Sequence, residues 1–174
     1  MKRLVLLIIS ALICGATFIG CDKAENGKDW MNKSADLLEH NKNKVSITQG
    51  ICGTLVKTEG NCMPIIDENS TCKQFPVKRE IVVYEYTKMD ETTQSSISLA
   101  FFEKVNTKLI ATTISDKEGF FQLALQPGKY SIFVKENNLL FANGFDGQGG
   151  IVPVIVETSK ISEINLDMNY DAAY

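Results

Sequence analysis

Along most of the chain, apolar and polar residues alternate with a period of two. Phe121, Leu123 and Leu125 occupy every second position, and the same spacing recurs at 130–134 and 164–170. Successive side chains of a strand point to opposite faces, so this period predicts strands with one face on a core and the other in water. Further strands are predicted at 47–56, 79–87, 109–115 and 151–157. About seven short strands without a long helical pattern predict an all-β sandwich over residues 46–174.

The first twenty residues have a different pattern, with 14 apolar positions. Lys2 and Arg3 precede a stretch from Leu4 to Gly20 that has no charge. Such an arrangement is typical of a signal peptide. A membrane-spanning helix is the alternative, but this stretch contains several small and polar residues and is short for a span of about 20 residues. We therefore expect residues 1–20 to be a signal peptide.

The end of this segment is more specific than a generic cleavage site. The run Phe18-Ile19-Gly20-Cys21 resembles the lipobox of bacterial lipoproteins, with Phe18 in place of the usual Leu. The resemblance implies that the Cys21 sulfur receives a diacylglycerol, with palmitate-type chains, and that the peptide is cut before it. Two or three acyl chains anchor a protein stably. Ordinary secretion, with Cys21 uninvolved, is the alternative.

A polar segment follows, so residues 21–45 are predicted to be the lipidated cysteine and a flexible tether. Ten of the 23 residues from 22 to 44 are charged, five of each sign. The burial of so little apolar surface does not offset the entropy lost when the segment is ordered. A flexible coil of this length has an end-to-end distance of about 25 Å. A turn or two of helix is compatible with residues 34–40, with Ser34 as the N-cap.

The turns between the strands have recognisable residues. In the loop 116–119, Gly119 is predicted to take a left-handed conformation, and Pro127-Gly128 is predicted to form a type II turn with a positive φ at Gly128. Pro153 suits an edge strand or a strand start, where no amide donor is needed. Residues 145–150 form a glycine-rich loop.

The stretch that contains two of these turns resembles a known protein family. The stretch 113–132 resembles carboxypeptidase regulatory-like domains, which are transthyretin-like (prealbumin-like) Greek-key sandwiches. The shared features are Thr113, an Asp-x-x-Gly turn at 116–119, Phe121 and Leu-x-Pro-Gly-x-Tyr at 125–130. The stretches 77–81 and 143–149 resemble lipoproteins of Bacteroides-type bacteria. The resemblance implies a non-catalytic accessory or adhesion module, in which the Tyr130 hydroxyl bonds back to nearby backbone.

Three cysteines remain in the predicted sandwich. They allow one disulfide and leave one thiol. Cys62–Cys72 is the preferred pair, since it closes the insertion between them, and Cys52–Cys62 is the alternative. In a compartment with little oxidant, all three would stay reduced.

Acidic residues in two glycine-containing loops are the candidate ligand-binding residues. Asp116 and Glu118 lie in one loop and Asp146 in the other. A calcium site needs about six oxygens, and turn chemistry explains both loops without a metal. A sugar-stacking platform of exposed aromatic residues is a second hypothesis, and its candidates are Tyr84, Tyr86, Phe133, Phe141 and Phe145.

The net charge and the histidine content exclude several classes of function. The net charge is −3 and becomes −5 once Lys2 and Arg3 are removed, which excludes a nucleic-acid binder dependent on bulk charge. The single histidine, His40, lies in the tether, so neither a His-rich zinc site nor a Ser-His-Asp triad is predicted in the sandwich. We expect no catalytic residues, no metal and no cofactor.

These features predict a lipid-anchored cell-envelope protein with a non-catalytic structural or binding sandwich. Its expected partners are the membrane, through the N-terminal lipid, and an envelope protein or glycan. The expected location is the outer membrane, and either its periplasmic or its surface face is compatible with the sequence. The alternative function is a carbohydrate- or calcium-binding accessory module that serves a partner enzyme or transporter.

Overall fold

The computed structural model describes residues 27–63 and 71–174, with side chains from residue 35 onward. Cys21 and the predicted signal peptide lie outside the described residues. The elements are one α-helix, α1 (Gly27–Lys42), one 3-10 helix (Met89–Glu91) and twelve strands. The strands are β1 (Gly50–Asn61), β2 (Lys73–Pro76), β3 (Glu80–Glu85), β4 (Thr92–Gln94), β5 (Phe101–Val105), β6 (Leu109–Ile114), β7 (Phe120–Leu123), β8 (Gly128–Glu136), β9 (Leu139–Phe141), β10 (Pro153–Val156), β11 (Ile161–Glu163) and β12 (Leu166–Ala173).

The predicted all-β sandwich is confirmed. Its strands form one sheet of five and one of seven. Each of the seven stretches predicted to be strands contains a strand. The additional strands are β2, β4, β5, β9 and β11, and they have only three to five residues each.

The five-stranded sheet is built around β1. The first half of β1 pairs with β11 in parallel and with β7 in antiparallel orientation. Its second half pairs with β12 in parallel and with β2 in antiparallel orientation. This long strand therefore has a paired strand on each side over most of its length.

The seven-stranded sheet is antiparallel, in the order β4-β5-β9-β8-β3-β6. Strand β8 pairs along its length with β3. On its other side, β8 pairs with β9 at its C-terminal end and with β10 at its N-terminal end. Pro153 begins β10, which pairs with β8 alone, so the predicted position at a strand start is confirmed.

The main core lies between the two sheets. The five-stranded sheet contributes the buried side chains of Ile51 and Leu55 of β1 and Met168 of β12. The seven-stranded sheet contributes those of Ile132 and Val134 of β8. Because these residues sit at alternating positions, the prediction of a core-facing row on β8 and β12 is confirmed.

The opposite face of β8 is also buried, which differs from the predicted water-facing row. Ser131 and Phe133 have no exposed surface. Phe133 packs in a second cluster with Phe102, Ala142 and Ile151, to which Tyr84, Met89, Val105, Leu140 and Val152 contribute. The prediction was wrong here because the chain around Met89 and the segment 140–152 cover this side of the sheet.

Helix α1 occupies most of the segment that was predicted to be a flexible tether. Ser34 therefore lies inside the helix and is not its N-cap. The C-terminal part of the helix packs on β1, where Cys52, Thr54 and Val56 are buried on the face away from the main core. Within the described residues, no helix is long and apolar enough to cross a membrane.

The two predicted glycine turns have different outcomes. Gly119 has φ +74°, so its predicted left-handed conformation is confirmed. Gly128 does not have a positive φ, and the predicted type II turn is wrong. A Cβ at Gly128 would lie 3.0 Å from the Tyr130 hydroxyl, so this glycine makes room for that group. The hydroxyl donates a hydrogen bond to the Gln126 carbonyl at 2.8 Å, as the family resemblance implied.

Candidate functional site

Two of the predicted ligand residues, Asp116 and Glu118, meet at the junction between α1 and the sandwich. They lie in the loop between β6 and β7, and both accept hydrogen bonds from the Lys44 amine. The distance from Lys44 Nζ to Asp116 Oδ2 is 2.9 Å. Lys44 follows α1 and lies 72 residues before Asp116 in the chain. Folding therefore brings a cation of the protein itself to this acidic pair.

The electrostatics of this group favour a closed ion-pair cluster. Burial opposes the charge on Asp116, but hydrogen bonds from Lys44 and from the backbone N–H groups of Phe120 and Glu118 lower the pKa of its carboxyl overall. The Lys44 hydrogen bond likewise lowers the pKa of Glu118. Burial works against the Lys44 charge, yet its hydrogen bonds to both carboxylates raise the pKa of Lys44. Lys44 thus supplies the positive charge that a calcium ion would bring.

His40 is closer to the sandwich than its place in the predicted tether suggested. Its Nε2 lies 3.4 Å from Glu118 Oε2, and its side chain is 60% exposed. Among the described residues, no group of three or more His, Cys, Asp or Glu side chains is arranged to hold a metal ion. The cluster of His40, Lys44, Asp116 and Glu118 is therefore best described as a surface charge network that joins the helix to the loop.

Asn41 makes the buried part of the same junction. It is 2% exposed, and its Nδ2 donates to Thr54 Oγ1 and to the Glu118 carbonyl, both at 2.9 Å. An exposed ion pair between Lys42 and Glu163, at 3.6 Å, flanks it. The sequence analysis missed Asn41, because an Asn within a polar segment carries no local signal of burial. Its partners lie 13 and 77 residues away.

The third predicted ligand residue, Asp146, lies in a separate cluster. It accepts hydrogen bonds from the Tyr86 hydroxyl at 2.8 Å and from Lys129 Nζ at 3.0 Å. The backbone N–H groups of Gln148 and Gly150 donate to its other oxygen. The Lys129 hydrogen bond, helped by those from Tyr86 and the backbone, holds the pKa of Asp146 far below its usual range. Four donors leave this carboxylate saturated, and its structural effect is to close the loop 145–150.

The hypothesis of a sugar-stacking platform is wrong for the set of aromatic residues proposed. Phe133 and Phe141 are buried, and they lie in different hydrophobic clusters. Phe145 is 53% exposed. The Tyr86 ring has Lys129 Nζ 3.7 Å from its centroid and the Gly150 backbone packed against it. These aromatic side chains therefore do not form one open surface.

The cysteines of the sandwich have distinct environments. Cys62 and Cys72 form a disulfide, with their Cα atoms 4.7 Å apart. Cys52 is a free thiol and is buried under α1. Burial, with a smaller contribution from Glu163, raises the pKa of the Cys52 thiol. The protonated form of this thiol is thus favoured, and a thiolate nucleophile is not.

An open groove lies beside the first strand. It has a volume of about 340 Å³ and is lined by Ser46, Ile47, Thr48, Gln49, Ala124, Leu125 and Gln126. The Gln49 amide joins its two walls, since Nε2 donates to the Leu125 carbonyl, and outside the groove Oε1 accepts from the Ser159 N–H. None of its lining side chains is charged.

No family model matches this chain, and no curated protein or solved structure matches it either. The case for its function therefore rests on its own residues and their geometry.

Proposed function

We propose that this protein is a lipid-anchored cell-envelope protein whose β-sandwich has a structural or binding role and no catalytic one. The observation that supports the proposal is the run Phe18-Ile19-Gly20-Cys21 at the end of an uncharged segment that follows Lys2 and Arg3. This combination resembles a lipoprotein signal peptide, in which Cys21 becomes the lipidated N-terminus. The outer membrane is the proposed location.

The position of α1 supports a close connection between anchor and sandwich. Cys21 and Gly27 are separated by six residue steps, which span at most about 22 Å. A helix of 16 residues is about 24 Å long. Asn41 and Lys44 then bind the end of this helix to the sandwich. A lipid at Cys21 would therefore carry the sandwich on a short helical rod and not on a long free coil.

Replacing the lipidated cysteine tests the proposal directly. We expect Cys21→Ser to move the protein from the detergent-rich to the aqueous phase of a Triton X-114 extraction and to abolish labelling with radioactive palmitate. The far-UV circular dichroism of its sandwich should not change. Cys14→Ser is the matched control, because Ile13 is too large for the position before a lipobox cleavage. Palmitate incorporation into Cys21→Ser would disprove the anchor.

The open groove favours a second candidate function, the binding of a neutral glycan as an accessory module for a partner enzyme or transporter. Its volume falls in the range of small-ligand sites, and the Thr48 hydroxyl and the Gln126 amide suit the hydroxyl groups of a sugar. Titration with neutral oligosaccharides, followed by amide NMR shifts, tests it. Binding should move the signals of Thr48 and Gln126 and leave those of loop 145–150 unchanged. Uniformly unchanged spectra at millimolar sugar would rule this candidate out.

A further inference from the structure

A small cavity lies between α1 and the outer face of the five-stranded sheet. Its volume is about 10 Å³. This is close to the smallest space that holds one water molecule. The helix side contributes Leu38, Asn41 and Val45, and the sheet side contributes Cys52 and Thr54.

The orientation of the Asn41 side chain follows from its partners. The Glu118 carbonyl can only accept a hydrogen bond, so the amide nitrogen of Asn41, and not its oxygen, must face it. The same nitrogen donates to Thr54 Oγ1. Asn41 Oδ1 is therefore directed away from both, and it is buried without a hydrogen-bond partner among the described residues.

An unpaired carbonyl oxygen is costly at a buried site, and a bridging water satisfies such a group where the space beside it can hold one. We infer that one water molecule occupies the cavity between α1 and β1 and donates a hydrogen bond to Asn41 Oδ1. The Cys52 thiol and the Asn165 amide also line the cavity and offer the water further partners. The hydrated Asn41 amide then holds the end of α1 on the sandwich and keeps the Cys52 thiol covered.

A direct hydrogen bond from the Cys52 thiol to Asn41 Oδ1 is the competing arrangement. Water-selective NMR cross-relaxation on the full chain separates the two. A long-lived water should give a cross-peak with the Asn41 side-chain amide protons or the Thr54 hydroxyl. Absence of any such cross-peak in the wild-type protein, which a direct thiol bond predicts, would overturn the inference.

Variants of the helix end provide the second measurement. Asn41→Leu keeps the side-chain size and removes both the oxygen and the nitrogen of the amide. It should lose the Thr54 water cross-peak and raise the rate of Cys52 labelling by a thiol reagent by about tenfold, because labelling follows the open population. Asn43→Leu is the matched control, since Asn43 is exposed and, among the described residues, its Nδ2 binds only the Glu39 carbonyl. A Thr54 cross-peak retained in Asn41→Leu, or equal labelling in both variants, would refute the role of Asn41. If Asn41→Leu does not fold, the wild-type cross-peak decides.

Discussion

The disulfide between Cys62 and Cys72 allows a quantitative prediction. It joins the end of β1 to the start of β2, and these strands already pair in antiparallel orientation, with Glu59 opposite Lys73. Because the folded state holds the two ends together without the cross-link, the disulfide acts mainly on the unfolded chain. Its sequence separation is 10, for which the chain-entropy relation yields about 2.7 kcal/mol at 25 °C.

The double variant Cys62→Ser/Cys72→Ser should therefore lower the free energy of unfolding by about 2.7 kcal/mol. For a domain of about 130 residues, this loss corresponds to a fall in Tm of about 10 °C. Urea unfolding followed by circular dichroism measures the first quantity, and calorimetry measures the second. The urea dependence should also steepen, because the unfolded chain without the cross-link exposes more surface.

Reduction of the wild-type protein is the matched control for this variant. Dithiothreitol should produce the same loss in the wild type and none in the double variant, whose Cys52 is its only sandwich cysteine. A loss below about 0.5 kcal/mol would contradict the chain-entropy reasoning. Three free thiols in the unreduced, denatured sandwich would show that the disulfide does not form.

Three further predictions concern the seven-stranded sheet and its glycine-rich loop. A Cβ at Gly150 would lie 2.3 Å from the Tyr86 ring, so Gly150→Ala should destabilise the fold by about 1–3 kcal/mol in urea titrations. Gly144→Ala is the control and should not destabilise it, because the nearest atom to a Cβ at Gly144 lies 3.5 Å away. The folded-state pKa of Asp146 lies below its unfolded value of about 3.9, so its stabilisation is present above that pH and is lost as the pH falls towards the folded pKa. Asp146→Asn should accordingly show a smaller drop in urea midpoint between pH 5 and pH 2.5 than the wild type, and an equal drop would contradict this. Phe133 is fully buried, so Phe133→Ala should cost about 3–5 kcal/mol, and a cost below about 1 kcal/mol would show that the second cluster is not closely packed.

Several features of the fold were available from local sequence patterns alone. The period of two at 121–125 and 164–170 predicted strands, because strand side chains alternate between faces whatever their partners are. The loop 116–119 predicted a left-handed Gly119, since that conformation depends on residue type within four positions. The lipobox-like run ending at Cys21 is likewise a contiguous signal. Each of these depends on residues that are close along the chain.

The features that only the tertiary structure decided depend on distant residues. Ser131 and Phe133 are buried because other segments cover the second face of β8, and their own stretch contains no sign of that cover. The segment 22–44 is too polar to predict a docked helix, yet Asn41 and Lys44 find partners 77 and 72 residues further along the chain. Polar residues dock a helix through specific hydrogen bonds, which leave no hydrophobic period to detect.

The candidate ligand residues illustrate the same division. The sequence by itself identified Asp116, Glu118 and Asp146 as acidic residues in turns, which is a local property. Only the fold showed that Lys44 neutralises the first two and that Tyr86 and Lys129 saturate the third. The charge that faces a carboxylate is set by three-dimensional proximity, and Coulomb interactions act through space irrespective of chain order.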